Sequence, residues 1–190
     1  MLWHILRPFS YLSIDHRSKW VVDWVYPIAL TVASVVVIFG MKVLGPVSLY
    51  ADSGLISKVL GFVQGLPGFY IAALAAIATF NRIDIDKTMP SPAPTLDIRV
   101  QGKTVAIELT RRRFLCSMFA FLTAENLILI VLAIFSLALY PTAKSIIPTT
   151  AHVWISAIFM FGFLMLFWQM IVTSFWGLYY LGDKLHQPDA

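Results

Sequence analysis

Glu125 lies in the middle of an apolar run, with Asn126 beside it and Ser117 and Thr123 before it. It stands twelve residues beyond Arg113, roughly 18 Å along a helix rising about 1.5 Å per residue. An ionisable group at that depth of a bilayer is costly, so it must face a bundle interior or a water-filled cavity. Two kinds of chemistry suit it. One is a gate, an ion pathway or a proton site. The other is structural, a protonated carboxyl holding helices together by hydrogen bonds. Gln169 lies about twelve residues from Leu181, the inner end of the last apolar run. It is therefore at a similar depth and within reach of a hydrogen bond to Glu125. Asp23 and Lys42 sit near opposite ends of the first run and can snorkel to water. Asp84 and Asp86 stand in a basic loop, where paired carboxylates are ordinarily solvated. His4, His16, His152 and His186 are scattered, with no metal-ligand spacing. No phosphate-binding glycine loop, nucleophile elbow, metalloprotease helix or paired-cysteine motif occurs. Glu125, Asn126 and Gln169 are too sparse for catalysis, so the expectation is a non-enzymatic protein with no cofactor and no metal.

The elements that place these residues are membrane spans. Of 190 residues, 59% are hydrophobic and 13% charged, against about 45–50% and about 25% in soluble domains. Four runs reach the roughly 20 apolar residues a bilayer requires: residues 20–44, 59–80, 114–140 and 152–181. The first is far longer than a signal-peptide core and reads as a retained anchor. Arg7, Arg17, Lys19, the seven basic residues of loop 81–113 and Lys184 make eleven of the fourteen Lys and Arg. Only Lys42, Lys58 and Lys144 fall on the other side. Basic residues stay cytoplasmic, so both termini and the middle loop are expected inside, with the protein in the inner (plasma) membrane. Arg111, Arg112 and Arg113 anchor that orientation. The expected fold is an all-α four-helix membrane bundle with a small cytoplasmic β-hairpin between the second and third spans. Its parts are an interfacial segment 1–19, spans one and two over 20–80, the loop 81–113, spans three and four over 114–181, and a tail 182–190.

Residues 1–14 mix aromatic and aliphatic groups with few charges, and suit the headgroup layer with Trp3, Phe9 and Tyr11 inserted. In the loop, a proline-rich linker at residues 90–94 precedes two alternating stretches. Leu96, Ile98 and Val100 share one face, as do Val105, Ile107 and Leu109, which is strand periodicity. A Gln101–Gly102 turn would pair Ile98 with Val105 and Leu96 with Ile107, with Gly102 supplying a positive φ. A lone hairpin is marginal in water, so this apolar face must rest on its own bundle, another subunit or a partner protein. The loop mixes both charge signs, so no direct nucleic-acid binding is expected.

Span two carries Gly61 and Gly65 at the spacing of close helix approach, then Pro67 and Gly68. Pro67 frees a backbone carbonyl and is expected to kink the helix. Its small residues suggest a slim, central helix. Cys116 is the single cysteine and reads as a small packing residue. The outer loops, residues 45–58 and 141–151, are too short for a receptor domain.

The stretch Leu66-Pro-Gly-Phe-Tyr-Ile-Ala-Ala-Leu-Ala-Ala76, with the loop and the Arg111, Arg112, Arg113 stop after it, resembles the membrane component of the Kiwa anti-phage defence system. That resemblance implies a homo-oligomer, a tetramer in the family, that senses phage attack at the inner membrane. It also implies a soluble, DNA-binding partner held on the cytoplasmic face. No family site residue carries over. Two functions are therefore expected from this chain: an oligomeric sensor and scaffold with a soluble partner, or an oligomeric pore or ion-pathway protein using Glu125.

Overall fold

A computed structural model describes residues 2–45, 47–79, 83–100 and 103–182. In chain order the elements begin with α1 (Leu2–Ile5) and a 3-10 segment (Arg7–Ser13). A π turn (Val21–Val25) runs into α2 (Tyr26–Leu44), followed by α3 (Leu55–Val63), α4 (Leu66–Thr79) and α5 (Ile83–Asp86). Strands β1 (Thr95–Val100) and β2 (Lys103–Glu108) precede two long helices, α6 (Arg111–Ile146) and α7 (Thr149–Gly182). Four of the described helical stretches are long and apolar enough to cross a membrane: Val21–Leu44, Leu55–Thr79, Arg111–Ile146 and Ala151–Gly182. Helical backbone bonding is the condition for crossing hydrocarbon, and where these stretches break it other groups step in.

The central helix is α6, not span two. The most apolar window of α6 is 44% buried, against 17% for the α3–α4 span. α6 packs against α3, α4, α5, α7 and the 3-10 segment. Its buried positions Leu115, Met118, Leu122, Asn126, Leu129 and Ala133 recur at three- and four-residue spacing. None lies beyond Ala133, so the last part of α6 is the least buried. α6 opens on Thr110, whose hydroxyl accepts from the Arg113 amide at 3.3 Å, an N-cap. It runs through Pro141 and stops before Pro148, six residues past its expected end. Pro141 offers no N–H to the Leu137 carbonyl, and Tyr140 beside it stacks on Tyr50 with ring centres 4.2 Å apart.

The second span is interrupted rather than bent about Pro67. α3 ends at Val63, a turn covers Gln64 and Gly65, and α4 starts at Leu66. Pro67 therefore sits in the first turn of α4, where a missing N–H costs nothing. Gly61, Gly65 and Gly68 are exposed, and a Cβ on any of them would meet nothing within 4 Å. Within this chain, among the described residues, no helix approaches them closely. Gly177 on α7 is one: a Cβ there would lie 2.6 Å from Met118 Cε.

The hairpin has the expected register, with Ile98 opposite Val105 and Leu96 opposite Ile107. Its Gln101–Gly102 turn lies outside the described residues, as does the tail 183–190. Its root is tied to the chain. Asp15 and Thr95 exchange backbone hydrogen bonds of 2.9 and 3.0 Å. The Leu109 amide donates to the Pro94 carbonyl at 3.0 Å, and the Met89 amide to the Leu109 carbonyl at 3.1 Å.

Candidate functional site: a buried polar cluster

Where α2 begins, a set of polar groups is shut inside the bundle. Lys19 and Asp23 are one helical turn apart and form an ion pair, with both side chains almost fully buried. The Lys19 ammonium lies 4.0 Å from the centre of the Tyr11 ring, a cation–π contact. The Tyr11 hydroxyl donates to Asp23 Oδ1 at 3.4 Å, long enough to be weak. Tyr11 is fully buried and stacks on Phe121 of α6, ring centres 5.1 Å apart. Burial pushes the Tyr11 hydroxyl well above its usual range, and the Asp23 charge adds to this, so Tyr11 stays a donor. Burial also pulls the Lys19 ammonium down, opposed by its contact with Asp23.

Pro27 explains a further contact. It has no N–H for the carbonyl four residues back, which belongs to Asp23. The π turn already displaces the ladder there, and the Tyr26 amide reaches back to Val21. The orphaned Asp23 carbonyl accepts from Gln169 Nε2 of α7 at 2.8 Å. Gln169 thus joins α7 to the start of α2.

Glu125 and Asn126 follow on α6, 1% and 0% exposed. Asn126 Nδ2 donates to Met170 Sδ at 3.0 Å, a weak acceptor. Among the described residues, neither Glu125 oxygen, nor Asn126 Oδ1, nor Thr173 Oγ1 has a hydrogen-bond partner. Glu125 and Gln169 line one apolar cavity of about 510 Å³ together with Phe9, Trp24, Phe121 and Phe161. Glu125 is close enough to interact electrostatically with Asp23, Tyr11 and Tyr70. The Lys19 ammonium is taken by Asp23, and among the described residues Glu125 has no such partner.

Several expectations change at this point. Gln169 is at the depth of Glu125, but its amide serves the Asp23 carbonyl. Asp23 does not snorkel: it is 2% exposed. Tyr11 packs inside the bundle rather than standing in the headgroup layer, because Phe121 and Lys19 contact its ring and Asp23 accepts from its hydroxyl. The side chain of Trp3 lies outside the described residues. Lys42 does remain exposed, 5.9 Å from the Phe39 ring centre. The sequence carried two signals for this cluster. One is the i, i+4 spacing of Lys19 and Asp23, and the other is Pro27 with its predictable orphan carbonyl.

The basic anchor divides its work. Arg111 is 4% exposed. Arg112 pairs with Asp86 at 2.7 Å and donates to the Ile77 and Ala78 carbonyls at 2.8 and 3.1 Å, closing the end of α4. Its pull holds the Asp86 carboxyl below the usual range. Arg113 is exposed. On the hairpin, Leu96 and Leu109 are 8% and 0% exposed within this chain's own core, so they are not open to a partner. Ile107 is half-buried, and Val105 is 45% exposed. The side chains of Ile98 and Val100 lie outside the described ones. Comparison with known proteins found no matching family model, curated protein or solved structure.

Proposed function

We propose that this protein is a membrane-embedded sensor and scaffold subunit, non-enzymatic, that oligomerises and presents its hairpin to a soluble partner. The setting is anti-phage defence at the inner membrane with both termini cytoplasmic, on the basis of the Kiwa resemblance and the distribution of basic residues. One observation supports the sensor reading above the others. The segment that plugs the bundle with Tyr11 and carries Lys19 is bonded through Asp15 to Thr95, the first residue of the hairpin. A change in helix packing that moves the Tyr11–Lys19–Asp23 cluster therefore pulls on the hairpin root.

The experiment has two readouts. Hydrogen exchange at the Thr95 amide should quicken when Lys19→Met leaves Asp23 uncompensated, while amides at the far end of α7 stay unchanged. Intact-complex mass, from cells expressing the chain with its neighbouring genes, should show an oligomer carrying a soluble protein that Val105→Asp releases. A bare monomer with unaltered Thr95 exchange sinks the reading.

The second reading is a pore or ion pathway, supported by the two unpartnered oxygens of Glu125 beside the cavity. Reconstituted protein would then conduct, and Glu125→Gln would change that conductance.

A further inference from the structure

A second and larger cleft, of about 1190 Å³, opens at the hairpin end of the bundle between the N-terminal segment, α4, α6 and β1. Its chemistry differs from the Glu125 cavity. Arg7 and Arg113 stand on it, both exposed. Neither is held in an ion pair among the described residues. Ser10 and Ser13 add hydroxyl donors, and Asp97 is the one acid among the described residues that line it. Ser117 also lines it, but its hydroxyl already donates to the Arg113 carbonyl at 2.8 Å. The floor is apolar, with Phe9, Leu74 and Ala120. Ala120 is seven residues below Arg113 on α6, about 10 Å deeper along the helix axis. The cleft thus runs from a cationic rim into the hydrocarbon level, between two membrane-spanning helices.

We propose that this cleft binds an anionic phospholipid, its phosphodiester on Arg7 and Arg113 and an acyl chain along Leu74 and Ala120. Guanidinium groups match phosphate oxygens in geometry as well as charge. Two such groups against one carboxylate leave a net positive rim, which selects against a headgroup that brings its own cation. The apolar floor selects a lipid over a soluble phosphate, because only a lipid has a chain to lay on it. Basic pockets between spans are a known way of holding acidic headgroups. The site is independent of the sensor reading, since none of the cluster residues Tyr11, Lys19, Asp23 or Glu125 lines it.

The test is native mass spectrometry of the full chain from nanodiscs with equal phosphatidylglycerol and phosphatidylcholine of identical chains. Wild type should retain phosphatidylglycerol preferentially. Each basic residue near a membrane surface is worth about 1 kcal/mol, so Arg7→Gln with Arg113→Gln should lower that retention about thirty-fold. Phosphatidylcholine retention should stay the same. Asp97→Asn should raise phosphatidylglycerol retention about three- to five-fold by removing the one repelling charge, a gain that a damaged fold would not produce. Soluble glycerol phosphate should not compete. Equal retention of the two lipids overturns the proposal. So do an unchanged double variant, an Asp97→Asn variant that gains nothing, and competition by glycerol phosphate as strong as by the lipid.

Discussion

Gln169→Leu removes the amide that satisfies the Asp23 carbonyl at 2.8 Å. That carbonyl lost its helical donor to Pro27, and its own residue is 2% exposed, so water does not replace the amide. Leaving a buried acceptor unsatisfied costs about 1–3 kcal/mol. Interhelical hydrogen bonds in membranes average less, about 0.6 kcal/mol with a maximum near 1.7. The Asp23 carbonyl should lie near the upper of these membrane values, because the ladder around it is already broken by the π turn. A loss of about 1–2 kcal/mol corresponds to roughly 2–8 °C in Tm for a chain of this size. The assay is thermal unfolding in mild detergent, followed by size-exclusion recovery. The diagnostic variant is the pair Gln169→Leu with Pro27→Ala. Alanine restores an N–H at residue 27, which can return to Asp23 and make the glutamine redundant. The pair should therefore recover most of the loss. If Pro27→Ala adds its own cost to Gln169→Leu, the carbonyl was never waiting for that donor, and the account of the cluster fails.

Gly177→Leu should cost about 1–3 kcal/mol by overpacking the α6–α7 contact, since even a Cβ would lie 2.6 Å from Met118 Cε. Gly177→Ala should be milder and be relieved by Met118→Ala, read by the same melting assay; a Gly177→Leu variant as stable as wild type would refute the packing. Tyr11→Phe should change stability little, because the 3.4 Å hydrogen bond is weak and the stacking on Phe121 persists. Tyr11→Ala should cost about 3–5 kcal/mol, as large aromatic truncations do in cores, and quicken exchange at Thr95. Equal effects from both would mean the hydroxyl carries the contact. The Asp86 carboxyl is held low by Arg112. A carboxylate with a depressed folded pKa contributes above its unfolded value, about 3.9, and loses that contribution as pH falls through the lower folded one. Proteolysis of residues 87–94 should therefore be flat from neutral pH to about pH 5 and rise only below the ordinary aspartate range. Asp86→Asn should raise it at neutral pH.

Much of the architecture was legible in one dimension. The four spans follow from run length and hydropathy, which need no knowledge of neighbours. The pairing of Ile98 with Val105 and Leu96 with Ile107 follows from two alternating stretches and a short turn, because a period of two leaves one register with both apolar sets on one face. Glu125, Asn126 and Gln169 could be placed at buried depth by counting from the basic ends. Their contacts could not be placed. α7 is apolar on nearly every face, with Phe161, Phe163, Met165 and Phe167 in succession, so no polar side told which residues meet α6 or α2. Only the assembled bundle decided that Gln169 turns to the Asp23 carbonyl, that Gly177 is a close approach within the chain, and that α6 is central. It also decided that Tyr11 is buried inside the bundle. A tyrosine in an amphipathic segment suits lipid or core equally well until a ring such as Phe121 and a cation such as Lys19 are brought to it by tertiary packing.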